Sequence, residues 1–441
     1  MPSKFVRVLA LLLGAGILVA LTVSCTRSTA WRTEPPANCR QTCAESYIEE
    51  HDNFELSFIE FSERGNQFDR RKTEDIVSRI ESYASEDSGV AVVVFVHGWL
   101  HNASNDDRNV KSFRQVLNKI GSANILGERK LMGVYIGWRG KSLYGAGSEY
   151  LTYWARKSVA EEIGANGVSS VILKLAEIDA RKPDNILLIA GHSFGGAMTL
   201  SAVDNILLTK MITGMSNGKA TPPIGEGVVL LNPAIEANQI FALKEHSMRF
   251  AEQSSPQSEL LHVISSKGDQ ATHVYFPVGQ SIAALGWEEV DFERYYQDKL
   301  YKFSEHNLDI TTIGNYERFW TGAITLNRNN RRDPYDQPLG EWKFHDYCED
   351  KSATTHNPLT ARLPCSAQDP IVFLSTDASF IKDHGDIFND KVSAYLTSIV
   401  ASSLHQESKM LSENCERGGH FSFAACFGFF MGQFNDLNAE E

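Results

Sequence analysis

The sequence predicts an α/β fold, a mainly parallel central sheet with helices on both faces. Three observations carry this expectation. Short apolar, β-branched runs such as "VAVVVFV" (90–96) and "NILLIA" (185–190) read as fully buried strands. Runs of this kind alternate with helical patterns from residue 55 to residue 404, which implies parallel strands covered on both sides. In "IAGHSFGG" (189–196) one such run ends on a serine bracketed by glycines, and a helical pattern follows. The serine therefore stands on a sharp strand-to-helix turn. At 441 residues and 42% hydrophobic content, the chain can bury one large core or two modest ones.

The first segment lies outside that pattern. Lys4 and Arg7 precede the apolar run 8–23, then Ser24-Cys25 and a polar stretch, so residues 1–24 read as a signal peptide or a membrane anchor. Two readings stay open. Cys25 is the lipidated N-terminus of a lipoprotein, or the run is an uncleaved anchor with its basic end in the cytoplasm. Either one exports the rest of the chain and ties it to the cell envelope. Of seven cysteines Cys25 is the odd one. The others group locally and suggest the disulfides Cys39–Cys43, Cys348–Cys365 and Cys415–Cys426. No Cys/His spacing resembles a structural zinc site, and neither a metal nor a cofactor is expected. A formal charge of −13 argues against nucleic-acid binding.

Residues 25–50 read as a spacer, with two prolines and little periodicity. The α/β core follows over residues 51–409. It opens with a strand at 55–61, a helix at 73–83, the strand 90–96 and a helix at 110–120. A strand at 131–138 and helical stretches in 147–175 lead to the serine strand and its helix. "GVVLLNPA" (227–234), "ELLHVISSKGD" (259–269) and "PIVFLSTD" (370–377) supply three more strands, and a last helix covers 389–404. Between residues 270 and 365 the rhythm breaks into an aromatic-rich insert ahead of the last strand. It is either a lid or cap over the site, or a subdomain packed on the sheet edge. The tail, residues 410–441, carries six phenylalanines in "HFSFAACFGFFMGQF" and reads as a docked terminus, with contact to lipid the alternative.

The chemistry is assembled around Ser193. Gly191 and Gly195 are needed because a side chain at either would crowd the turn. A serine hydroxyl needs a base, and the base needs an orienting carboxylate. Asp269 closes the second strand after the serine helix and is the expected acid, with Asp377 in reserve. Of thirteen histidines, His384 in "IKDHGDIF" lies between the last strand and the last helix, where the base belongs. His273 shares a strand exit with Asp269 and fits less well, and His192 inside the turn is expected to pack or bond locally. The oxyanion needs two amides, assigned to Phe194 and to Trp99 in the loop after "VFVHG".

Together these residues resemble the α/β-hydrolase superfamily on its lipase and esterase side. "VFVHGWLHNASNDDRNVKSFR", "GVYIGWRG" and "GHSFGGA" look like a bacterial, lipoprotein-like subset of those hydrolases. The resemblance implies a serine hydrolase that cleaves carboxylic esters, small or lipid-borne, through an acyl-enzyme. Acyl transfer by the same residues, or a non-catalytic envelope lipoprotein, are the alternatives.

Overall fold

Val90 to Val96 form a strand in which every residue is buried, and the alternation of its side chains divides the core in two. Val92, Val94 and Val96 join one apolar cluster, while Ala91, Val93 and Phe95 join the other. This is a sheet with helices on both faces. The computed structural model describes residues 24–40, 43–123, 125–144, 152–219, 221–253, 259–286, 288–326, 336–339, 342–350, 357–366, 369–404, 409–417, 420–421 and 423–439. The apolar N-terminal run, Trp287, most of the polar loop "NRNNRRDPYDQ" and His356 lie outside them.

The strands of the main sheet, in chain order, are β1 (Ala37–Asn38), β2 (Ile48–Glu50), β3 (Glu55–Glu60), β4 (Val90–Val96), β5 (Lys130–Gly137), β6 (Ile186–His192), β7 (Gly227–Leu231), β8 (Leu261–Ser266), β9 (Gly322–Leu326), β10 (Asp336–Leu339), β11 (Trp342–Asp346) and β12 (Ile371–Thr376). Their spatial order is β10-β11-β9-β12-β8-β7-β6-β4-β5-β3-β2-β1. From β3 through β9 every pair is parallel. All of these strands therefore finish on the same edge, which is where ligands sit in open α/β sheets.

Helices α1 (Arg70–Ser85), α2 (Arg108–Ser122), α3 (Tyr153–Ile163), α4 (Ser169–Asp179), α5 (Phe194–Asn217), α6 (Ala237–Gln253), α7 (Phe276–Ala283), α8 (Asp390–Leu404) and α9 (Phe423–Ala439) cover the faces. Helices α1, α3, α4, α5 and α6 pack on the first cluster, and α2, α8 and α9 on the second. Helix starts follow local chemistry. Asp69 and Asp107 cap α1 and α2 by accepting from Arg71 N and Asn109 N.

Two differences from the sequence reading stand out. Residues 25–50 are not a spacer. Arg32, fully buried, bonds Glu49 Oε1 at 2.7 Å, and Arg114 Nε holds the other carboxylate oxygen at 2.9 Å. Charge rather than apolar periodicity folds this stretch in, so hydrophobic patterning missed it. The insert is divided. Its first part carries α7 and a hairpin, Asp291–Tyr296 with Lys299–Ser304, while its second part adds β9, β10 and β11 to the sheet edge. The tail docks, with Phe427, Phe430 and Phe434 fully buried in the second cluster. Disulfides join Cys39 to Cys43, Cys348 to Cys365 and Cys415 to Cys426.

Candidate active site

Ser193 sits at φ 56°, ψ −120°, a left-handed conformation that costs a non-glycine residue about 1–3 kcal/mol. The neighbouring glycines explain how it is held. A Cβ on Gly195 would lie 2.0 Å from the Val96 carbonyl oxygen, and one on Gly191 would lie 2.3 Å from Thr199 Oγ1. Helix α5 can press against β4 and β6 only because both side chains are absent. Ser193 N donates to Leu231 O at 3.1 Å, and Ser193 O accepts from Ala197 N and Ala234 N. The turn is bonded on both sides.

His384 brings its Nε2 to 2.8 Å from Ser193 Oγ and its Nδ1 to 2.8 Å from Asp269 Oδ2. The Asp269 carboxylate is wholly buried and accepts three further bonds. Ala271 N and Thr272 N reach Oδ1 at 2.8 and 3.3 Å, and Thr272 Oγ1 reaches Oδ2 at 2.6 Å. Burial by itself would raise this carboxyl, but the bonds from His384 and Thr272 outweigh it and leave it below its ordinary value. An ionised carboxylate only accepts, so Nδ1 carries the imidazole proton and Nε2 is left to accept from the serine hydroxyl. Asp377, the reserve acid, instead accepts from Ser379 N at 2.9 Å and closes the turn that starts the His384 loop. His273 is exposed and reaches Asp269 only through its backbone amide.

The loop that carries His384 is fastened by side chains from three adjacent strand ends. His192 Nε2 donates to the His384 carbonyl at 2.7 Å, and Asn232 Nδ2 donates to the same oxygen at 3.3 Å. Ser266 Oγ donates to Ile381 O at 2.6 Å, while Ser266 N donates to Asn232 Oδ1. Asn232 and Ser266 escaped sequence reasoning. Their one signal was a polar residue ending an otherwise apolar strand in "VVLLN" and "HVISS". Burial, then the nearby His384 charge, depresses His192 well below its ordinary value, so it acts here as a neutral donor.

The loop after β4 lies against the serine. A Cβ on Gly98 would come within 2.9 Å of Ser193 Cβ. His97 fixes this loop: its Nδ1 bonds Gly98 O at 2.9 Å, its Nε2 accepts from Trp138 N at 3.1 Å, and Trp138 Nε1 returns a bond to His97 O at 2.9 Å. Complete burial lowers the His97 imidazole to about 4, so it is neutral near pH 7. Phe194 opens α5, where amides have no acceptor within the helix. Its ring and those of Trp99, Tyr153, Trp154 and Phe276 form a chain of contacts with centroids 4.7–6.4 Å apart. An apolar wall thus adjoins the serine.

Among the described residues one group gathers metal-type donors, Cys39, Cys43, Glu49 and His51. Its cysteines are joined in a disulfide and its carboxylate is taken by two arginines, so those donors are already engaged.

Residues 72–319 match the family model described as "Alpha/beta hydrolase of unknown function (DUF900)". No curated protein and no solved structure matches the chain. The match covers more than half of the 441 residues, and the chain belongs to this alpha/beta-hydrolase family.

Proposed function

From that membership and the geometry at Ser193, we propose that the protein is a serine hydrolase that cleaves carboxylic esters through an acyl-enzyme. The observation that carries this reading is the unbroken line Ser193–His384–Asp269, with 2.8 Å at each link. His384 Nε2 takes the Ser193 proton as Oγ bonds to the acyl carbon. The amides of Trp99 and Phe194 are the donors assigned to the negative oxygen that develops. Asp269, ionised and buried, stabilises the imidazolium. Collapse breaks the bond to the alkoxide, which leaves with the proton from His384. Water then repeats the sequence on the acyl-enzyme and regenerates Ser193.

The aromatic wall favours an apolar acyl group, because it offers contact area and no charge. The three disulfides and the apolar run 8–23 support an exported, envelope-bound protein, held by a lipidated Cys25 or by the run itself. Among the described residues no helix is long and apolar enough to cross a membrane.

A fluorophosphonate probe tests the reading directly. The full chain in detergent should become labelled and hydrolyse p-nitrophenyl esters, and Ser193→Ala should lose both while keeping its thermal unfolding midpoint. Unchanged turnover in that variant would end the proposal.

A further inference from the structure

Immediately after Asp269 the chain does something unusual for a surface. From Gln270 to Trp287 eighteen consecutive residues include no Asp, Glu, Lys or Arg, in a protein where 22% of residues are charged. Helical turns over Ala271–Tyr275 run straight into α7. One face of this element is fixed. Phe276 and Gln280 are buried, Gln280 bonds Glu236, and Gly279 lies where a Cβ would meet the Trp154 ring at 2.6 Å. The opposite face is apolar and open: Val274 is 45% exposed, Tyr275 68%, Val278 59%, Ile282 64% and Leu285 77%. Positions 275, 278, 282 and 285 follow helical spacing and make one stripe. Scattered exposed apolar residues need no explanation, but a continuous stripe of four with Val274 beside it does.

The place where the N-terminal segment joins the fold says what covers it. Ser24 and Cys25 pair with Tyr144 and Leu143, and Thr26 N donates to Ser142 O. Residues 139–144 follow β5 at the same sheet edge that bears Ser193. From Tyr144 the chain reaches Tyr153 in nine steps, a span of at most about 30 Å. Trp154, next in sequence, lies edge-on against Phe276 at 5.9 Å. Ser24, the first residue after the apolar run 8–23, therefore pairs at the same sheet edge from which the open stripe starts after Asp269.

We propose that the stripe on residues 274–285 is a membrane-docking face. It seats in the bilayer to which the N-terminal run ties the chain, and it turns the Ser193 site toward esters held in that bilayer. This rests on the anchor reading of residues 8–23 and deepens the ester-hydrolase reading by naming lipid-borne acyl esters as the substrate class. Tyr275 suits the headgroup level, where an aromatic ring with a hydroxyl is favoured, and the aliphatic side chains suit the layer beneath.

The test uses the full chain reconstituted in phosphatidylcholine–phosphatidylglycerol vesicles containing a phospholipid with a diazirine in its acyl chain. After photolysis, lipid adducts are expected on peptides covering residues 271–286. Peptides covering 169–179, where Leu173 is also exposed, should carry none. Adducts confined to residues before Ser24, or a chain that fails to float with the vesicles, would overturn the proposal. So would protection of 271–286 by cross-links between two copies. A second arm needs the activity. The double variant Ile282→Asp, Leu285→Asp should hydrolyse a vesicle-borne long-chain ester at least tenfold more slowly, with p-nitrophenyl acetate turnover within twofold of wild type. Equal rates on the vesicle ester would also overturn it. A wild type that gains adducts at 271–286 but hydrolyses neither ester refutes the hydrolase reading and leaves the docking face standing.

Discussion

Replacing Asp269 with Asn probes the proposed relay at the atom with the fewest alternatives. Asp269 Oδ1 is fixed by the amides of Ala271 and Thr272, so an Asn side chain keeps its carbonyl there and turns its NH2 toward His384 Nδ1. Two donors would then face each other across 2.8 Å unless the imidazole moves its proton to Nε2. In that tautomer Nε2 can no longer accept from Ser193. The variant also loses the buried negative charge that stabilises the imidazolium. By analogy with carboxylate-to-amide changes in such relays, kcat/KM should fall about 1,000- to 10,000-fold, or about 4–5.5 kcal/mol of barrier. Hydrolysis of p-nitrophenyl butyrate and the rate of fluorophosphonate labelling should fall together, while far-UV circular dichroism stays unchanged. A folded Asp269→Asn protein that keeps more than a tenth of wild-type kcat/KM would refute the reasoning.

Two further predictions concern the loop beside the serine. His97 is neutral in the fold down to about pH 4, whereas the unfolded chain protonates it near 6.5. Because its folded value is the lower one, the stability it contributes is whole above pH 6.5 and drains as pH falls toward 4, by about 3 kcal/mol in all. Urea midpoints taken from pH 7.5 to 4 should fall less steeply in His97→Gln than in wild type, and parallel slopes would count against this role. Gly98→Ala would set a methyl 2.9 Å from Ser193 Cβ and 3.0 Å from His192 O, so the loop must retreat and carry the Trp99 amide with it. Misplacing one oxyanion donor should cost about 100-fold in kcat with little change in KM, and a kcat within threefold of wild type would remove Trp99 from the proposed site.

Much of the fold was legible because apolar runs record burial directly. The strands over 90–96 and 186–192 needed nothing beyond composition and length. Ser193, Asp269 and His384 could be expected to meet because each follows such a run, in the order that a parallel sheet allows, and the structure brings them within hydrogen-bond distance. What stayed hidden was held by charge or by distant polar bonds. Residues 32–50 join the sheet through Arg32, Glu49 and Arg114, a partnership that spans 82 positions and leaves no local trace. Strands β9 to β11 are short and sit at an edge, so their polar, aromatic sequence looked irregular. Asn232 and Ser266 look like ordinary strand ends until the His384 loop is brought back over them.

Those hidden bonds bear on how the site keeps its geometry. Ser193 and His384 are 191 residues apart, yet the distance between them is fixed twice. His192 is covalently joined to Ser193 and donates at 2.7 Å to the backbone carbonyl of His384, so the Ser193 hydroxyl and the His384 imidazole cannot drift apart without breaking that bond. Asn232 ties the same carbonyl to the end of the next strand, and Ser266 ties Ile381 to the strand after that. His384 is therefore referenced to three consecutive strands of a rigid sheet, although it lies in a loop. Such preorganisation matters because an ångström of misplacement can cost about a hundredfold in rate. The clamp also leaves the electrostatics alone. Burial holds the His192 imidazole uncharged, so it adds a hydrogen bond beside His384 without adding a second positive charge to oppose the imidazolium that the reaction would form.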